Sequence, residues 1–545
     1  MIDKTVNGVP LSKETFRVPP RELGILPFWF WNGELDYEEM EYQLRELHAK
    51  GLPGIFIHSR FGLTVPYLSD EWFKRVQFTI DKAKELGMQV WIYDEKNWPS
   101  GTVGWEIPTK HPDLQQRYLE LVILDFNGPF FTYLEGTDSR YIDLEDSEPI
   151  CAFGVRAEEF EAGEIKEIID VTPNLSFDKV IPWEAPAGRW KLLYFVERRA
   201  KWYIDALNPE STKKFIEYTH EQYKKWIGHE FGKQVPGFYT DEPAMHYFAV
   251  GEDNYIIPWS KHMFKIFREA NGYDLKPYLP ALFAGMGEMT TKVRCDFWQT
   301  LTRQYAKSYY RQLSKWCEEN NLIHTGHLLY EEYLRLLARV EGNVFEQLKE
   351  MHLIGVDHLY PRIGSADRPE EHVAMKVGSS AAHHFGSTRL LCESLGGTYW
   401  DCTMERMKWI ADWEYVLGVN LFNPHGFHYS LEGERKRDWP PSQFYHHPWW
   451  EKYGLFNAYI SRNSYMLSGG RHVAKVALLY PIVSIMANYT PQAATDAAAL
   501  IEREFNNLTD SLLRLHFDYD YVDEGVLAEA EVRDGKIVIR DEEFE

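Results

Sequence analysis

The stretch GILPFWFWNGELDYEEMEYQLRELHAKGLPGIFIH, residues 24–58, decides the fold. Its two ends, GILPFWFW at 24–31 and GIFIH at 54–58, are short apolar runs of strand length, rich in aromatic and β-branched residues. Between them Asp36 to Lys50 is mostly polar but sets Leu44 and Leu47 on one face, as an amphipathic helix does. Asp70 to Leu86 reads as a second helix and Gln89 to Asp94 (QVWIYD) as a third strand. A β-α-β-α-β order implies parallel strands joined by helices.

Outward from this unit the pattern breaks and resumes. Residues 117–199 carry alternating apolar runs such as YLELVILDF and WKLLYFVE without a helical period, which predicts an inserted β-rich subdomain. Helical spacing returns at Pro209 to Glu230, and a fourth strand follows at Val235 to Tyr239. A long helical section to Glu319 leads to strands at Leu322–Gly326, Gly355–Tyr360, Thr388–Cys392 and Asn420–His425. Eight strands with intervening helices predict an α/β fold of the (β/α)8 TIM-barrel class. An open doubly wound sheet is disfavoured because no G-x-G-x-x-G or P-loop follows a strand. The expected division is barrel at 1–116 and 201–465, β-rich insert at 117–200, and a C-terminal α/β domain at 466–545 that stops in mid-domain, implying a longer natural protein.

A net charge of −23 opposes a nucleic-acid or anionic membrane partner, since both recruit Lys and Arg. The first residues lack the apolar core of a signal peptide and no run approaches a membrane span, so a cytoplasmic protein is expected. Five cysteines with no C-x-x-C spacing read as reduced thiols. Aromatic residues reach 15%, with 19 Trp, and such side chains form stacking platforms in sugar-binding clefts as in other large pockets.

In such a barrel, catalytic groups sit at the C-terminal strand ends. Those ends here deliver Trp29, Trp31 and Asn32; His58 and Arg60; Asp94, Glu95 and Trp98; Asp241 and Glu242; His327; His358, Tyr360 and Arg362; Glu393; His425 and His428. Glu242 after the fourth strand and Glu393 after the seventh stand on opposing sides of a barrel mouth, where they can bracket a glycosidic bond. Its cleavage needs one protonated carboxyl and one ionised carboxylate, and Glu serves in both roles. Asp241 would tune Glu242 or cap a helix. His327 and His358 fall where a metal-dependent amidohydrolase places ligands, but the first strand ends WFWN without the required H-x-H, so no metal site is expected.

Several segments resemble the α-L-rhamnosidase-type glycoside hydrolases of family 106: YDEKNWPSG at 93–101, YIDALNPESTKKF at 203–215, GFYTDEP at 237–243, HTGHLLYEE at 324–332 and GVNLFNPHGFHYSLEGERKRDWPPSQFYHHPWW at 418–450. The resemblance implies that Glu242 is the general acid and Glu393 the general base of an inverting reaction. It also brings an association with calcium, although no acidic loop here has calcium-ligand spacing. The layout is similar to retaining β-galactosidase-type barrels as well. The expected activity is exo-hydrolysis of a carbohydrate substrate, with no cofactor required. Asp94, Glu95, Asp205, His327, Tyr360, Arg362 and His425 would bind hydroxyls, and Trp29, Trp31 and Trp98 would stack on the ring. A barrel that binds saccharide without cleaving it is the alternative from another class, and a homo-oligomer is compatible with the sequence.

Overall fold

The computed structural model describes residues 12–133, 147–174, 182–247, 255–470, 472–492, 496–540 and 542–545. Strands β1 (Phe28–Trp31), β2 (Gly54–Ser59) and β3 (Gln89–Lys96) alternate with helices Tyr37–Ala49 and Asp70–Leu86. Each helix starts where a side chain can accept from its free N–H groups: Asp36 caps the first and Ser69 the second. Gly87, at φ 65°, ends the second in the left-handed region that favours glycine.

The later parallel strands are β4 (Gly237–Asp241), β5 (Ile323–His327), β6 (Ile354–His358), β7 (Leu390–Ser394) and a split β8 (Leu421–Pro424 and Phe427–His428). β4 begins two residues later than the sequence predicts, because Pro236 has no N–H to give the ladder. β7 runs two residues further, so Glu393 lies within the strand. The strands form one sheet in the order β5-β4-β3-β2-β1-β8, using the second half of β8, and another in the order β6-β7-β8, using the first half. All their pairings are parallel.

Alternation along each strand divides the core. Phe28, Phe30, Phe56, Tyr93, Tyr239, Leu391 and Leu421 pack together on one face. Trp29, Trp31, Ile55, Ile57, Val90, Ile92 and Phe238 turn the other way, into the apolar layer shared with the helices.

The expected insert is a five-stranded antiparallel sheet in which Gln115–Tyr133 and Pro182–Ile204 pair along most of their length. Its edge strand, Ile256–Trp259, comes from the section expected to be helical and pairs with Arg117–Glu120. Beyond the last helix of the parallel fold, Val476–Leu479 pairs with Tyr519–Val522 in parallel, with helix Asp496–Arg514 between them. Three short antiparallel strands follow, from Glu531 to Phe544. Among the described residues no helix is long and apolar enough to cross a membrane.

Candidate active site

Strand register assembles the site. Asp241 on β4 pairs with His327 on β5, and Glu393 on β7 lies between Asp357 on β6 and Asn423 on β8. Partners in a parallel ladder share a face, so these strands carry a polar row just beyond the aromatic layer of Tyr93 and Tyr239.

His327 is the centre of the row. Its Nε2 lies 2.8 Å from Glu393 Oε2 and 3.2 Å from Asp241 Oδ1, and its Nδ1 lies 3.2 Å from the Leu328 carbonyl. Acceptors on both sides require both ring nitrogens to carry hydrogen, which only the imidazolium supplies. Burial opposes that charge, but Asp357, Asp241 and Glu393 outweigh it and hold the pKa well above the usual histidine value. The Tyr93 hydroxyl donates to Asp241 at 2.7 Å and the Tyr239 hydroxyl to Glu393 at 3.2 Å. Burial raises Asp241, but the His327 hydrogen bond and charge prevail and it stays below the ordinary range. Glu393 moves up, through burial and the Asp241 charge, against the pull of His327.

Glu242 follows β4 with φ 43°, a left-handed conformation costing a non-glycine residue on the order of 1 kcal/mol. Its amide donates to His327 O at 3.3 Å, and its Oε2 accepts from Trp98 Nε1 at 2.7 Å. Burial first, then the charges of Asp241 and Glu393, push its pKa up to about 8 against the pull of His327 and Trp98. Glu242 and Asp357 each bring an oxygen within 4.8 Å of a His327 nitrogen. With Glu393 on the same ring, these contacts put the nearest oxygens of the two glutamates no more than about 10 Å apart, which is compatible with the spacing of carboxylate pairs that cleave glycosides.

Other expected residues divide by where they point. Arg60 lies beside the row, held by Asp438 at 2.7 and 3.0 Å and 3.3 Å from His425 Nε2. That pairing drops Asp438 to about 2, although burial acts the other way. Tyr360 and Arg362 stack at 4.5 Å on the edge nearest Asp357, and Arg362 is bound to Glu371.

Trp29 and Trp31 cannot stack on a sugar. Both are fully buried on the helix side, where Trp29 Nε1 donates to Gln43 at 2.7 Å and Trp31 meets the edge of Trp72 at 4.8 Å. Asp94 and Glu95 are also wholly buried and do not bind hydroxyls. Asp94 accepts from Ser100 and Thr240, while Glu95 accepts from the backbone N–H of Lys96, Gly101, Thr102, Val103 and Gly104. Asp205 is taken up by Ser260 and the Leu207 amide. His358 turns outward onto Trp413 and the Arg362 carbonyl. His58, stacked 3.5 Å from Tyr93, and His428, edge-on to Phe30, lie buried beneath the row.

Sequence reasoning missed Tyr93, Tyr239, Asp357 and Asp438. The first three occupy inward positions whose phase only a strand partner reveals, and Asp438 is 378 residues from Arg60. A further set, Glu331, Glu332 and Glu341, lies between β5 and β6: burial and neighbouring carboxylates raise all three, Glu331 to about 8 beside Glu332, Glu332 to about 7 beside Glu371 and Glu370, and Glu341 beside Glu331 and Glu242.

Parallel strands with helices between them and buried carboxylates at the strand ends are an architecture that glycoside hydrolases use. The family can be named: residues 151–543 match the model of glycoside hydrolase family 106, alpha-L-rhamnosidase, and the chain belongs to that family. A curated relative from Formosa agariphila, named "Putative beta-glucuronidase", is 22% identical over 96% of this chain, which spans 46% of that protein. A rhamnosidase structure from Novosphingobium sp. PP1Y is 16% identical and covers 98% of this chain and 67% of its own, with TM-score 0.68. A GH42 β-galactosidase from G. stearothermophilus is 11% identical, covering 92% and 66%, with TM-score 0.54. At these identities the two structures are alike in fold.

Proposed function

We propose that the chain holds the catalytic centre of an exo-acting glycosidase of α-L-rhamnosidase type, with Glu242 as general acid and Glu393 as general base. The observation that carries this is the contrast between the two glutamates. Glu242, at about 8, keeps a proton to donate at neutral pH, while Glu393, also raised by burial and the Asp241 charge, is hydrogen-bonded to a cationic His327 that pulls it back toward its ionised form. Glu242 would protonate the leaving oxygen, and Glu393 would take a proton from the water that attacks the anomeric carbon. His327 fixes the Glu393 carboxylate, and Tyr239 steadies the same oxygen.

We read the two parallel sheets as one (β/α)8 barrel. β8 pairs with both, and the Leu353 amide donates to His324 O across the other join at 3.2 Å. On that reading the rim groups Trp98, Tyr360, Arg362 and His425 line the sugar site.

Calcium takes oxygen donors, so the cationic His327 is unsuited to it. Asp357 and Glu332, whose charges lie close enough for Glu332 to raise the Asp357 pKa, are the oxygen donors that fit, which leaves Glu242 free to carry its proton. There the ion would supply positive charge for orienting sugar hydroxyls.

The test is a panel of aryl glycosides that includes α-L-rhamnoside, β-D-glucuronide and β-D-galactoside. Turnover of the rhamnoside with an inverted anomeric product by NMR is expected. Glu242→Ala should then lose on the order of 10²–10⁴-fold on poor leaving groups and much less on an activated one. Hydrolysis of the glucuronide or galactoside alone would overturn the sugar, a retained product the base role, and equal losses on both leaving groups the acid role.

A further inference from the structure

A second cluster of potential ligands lies outside the carboxylate site, where the helix Val373–Phe385 meets the C-terminal segment. His383 on that helix and His472, just before strand Val476–Leu479, stack with ring centroids 4.0 Å apart and planes 13° from parallel. Asp520, on strand Tyr519–Val522, is fully buried against them. Its Oδ1 is 2.9 Å from His383 Nδ1 and its Oδ2 is 3.4 Å from His472 Nδ1. One donor atom from each residue lies within 4.8 Å of the other two.

The orientation of His472 is set from behind. Its Nε2 is 2.9 Å from Asp518 Oδ2, which leaves Nδ1 facing Asp520. A carboxylate on the far nitrogen is how proteins orient an imidazole toward a metal. Lys376, the nearby cation, is engaged by the other Asp518 oxygen at 3.0 Å.

Asp520 Oδ2 and His472 Nδ1 are buried without a hydrogen bond of ordinary length and meet only as an ion pair at 3.4 Å. Buried polar atoms are normally satisfied at closer range, so this loose pairing leaves room for an ion between them. Ligands about 2.0–2.1 Å from a tetrahedral ion stand about 3.3–3.4 Å from one another, which is the separation of this pair.

We propose that His383, His472 and Asp520 form a binding site for a borderline divalent cation of the zinc class. Two imidazole nitrogens and one carboxylate oxygen suit zinc, cobalt or nickel, whereas calcium and magnesium demand more oxygen donors. The cluster opens on a cavity of about 800 Å³ lined by Lys376, His383, His472 and Asp518, which gives an ion a route in and leaves room for water as fourth ligand. Because the ligands come from a helix of the parallel fold and from two points of the C-terminal segment, the ion fastens one to the other.

The experiment uses the full chain, stripped with a chelator and titrated with zinc chloride by calorimetry, then with cobalt(II) followed by visible absorption. One equivalent should bind at micromolar or tighter affinity, with the intense visible bands of four-coordinate cobalt and a rise in Tm that grows with free zinc. Asp520→Asn and the part-exposed His383→Gln should each weaken zinc binding at least 10-fold. Absence of binding, or full affinity retained in correctly folded His383→Gln, would overturn the site. A His327→Gln variant separates the two clusters: zinc binding should survive in it, and its loss there would assign the ion to the carboxylate site and refute the proposal.

Discussion

At the scale of single residues, the ionisation of Glu242 turns on a contact with one exposed aromatic. Trp98 Nε1 donates to the carboxylate and so favours its charged form, partly countering burial. If Glu242 is the acid, the rate should fall as pH rises through about 8, where its proton is lost. Trp98→Phe removes the donor but keeps an aromatic ring. A neutral-to-charged hydrogen bond worth roughly 1 kcal/mol corresponds to a shift of roughly 0.5–1 unit. The alkaline limb of the kcat profile should therefore move to higher pH by that amount. A lower kcat with an unmoved limb would mean that Trp98 only packs.

At the scale of elements, the segment that presents Trp98 is organised around a carboxylate that sequence reading assigned to the substrate. Glu95 Oε2 accepts from Gly101, Thr102 and Val103, and Oε1 from Lys96 and Gly104, so one side chain satisfies a whole turn of backbone donors. Glu95→Gln replaces one acceptor by an amide NH₂ that faces N–H groups. The expected cost is on the order of 3 kcal/mol in urea denaturation, with faster amide exchange at 101–104. Unchanged exchange there would show the turn to be held by its own backbone. The residue types told of a polar strand end, and the turn that consumes Glu95 was not visible in them.

Across the whole molecule, many acids are buried with raised pKa values: Glu242, Glu331 and Glu414 at about 8, Glu332 and Asp205 at about 7. Each holds its proton more tightly folded than unfolded, so its contribution to stability is full below about 4.5 and is lost as pH rises through the folded value. Asp241, Asp438 and Asp518 are lowered and act oppositely, losing their contribution as pH falls below the ordinary carboxylate range. Buried histidines with lowered pKa, among them His58, His220, His324, His358 and His425, also lose their contribution as pH falls below the ordinary histidine value of about 6.5. The raised acids therefore govern only above it, where the net charge of −23 adds repulsion in the same direction. The urea midpoint should be lower at pH 9 than at pH 7.5. An equal or higher midpoint at pH 9 would refute this balance.

The sequence by itself determined what is local. Short apolar runs and helical spacing carried the order of strands and helices, because burial on one or both faces leaves a period in the residues themselves. They also placed Glu242 and Glu393 at the ends of two strands. The tertiary structure decided which way each side chain faces and what it meets. FWFW at 28–31 offers large aromatics on both sides, so nothing in the sequence separates Phe30, which lies beneath the site, from Trp31, which packs on a helix. Register with neighbouring strands settles that phase, bringing Asp357 beside Glu393 and turning His358 away. Long-range partners followed the same rule: Arg60 with Asp438, and Ile256–Trp259 with Arg117–Glu120, meet because the chain returns to the same place, and proximity in space leaves no period along the chain.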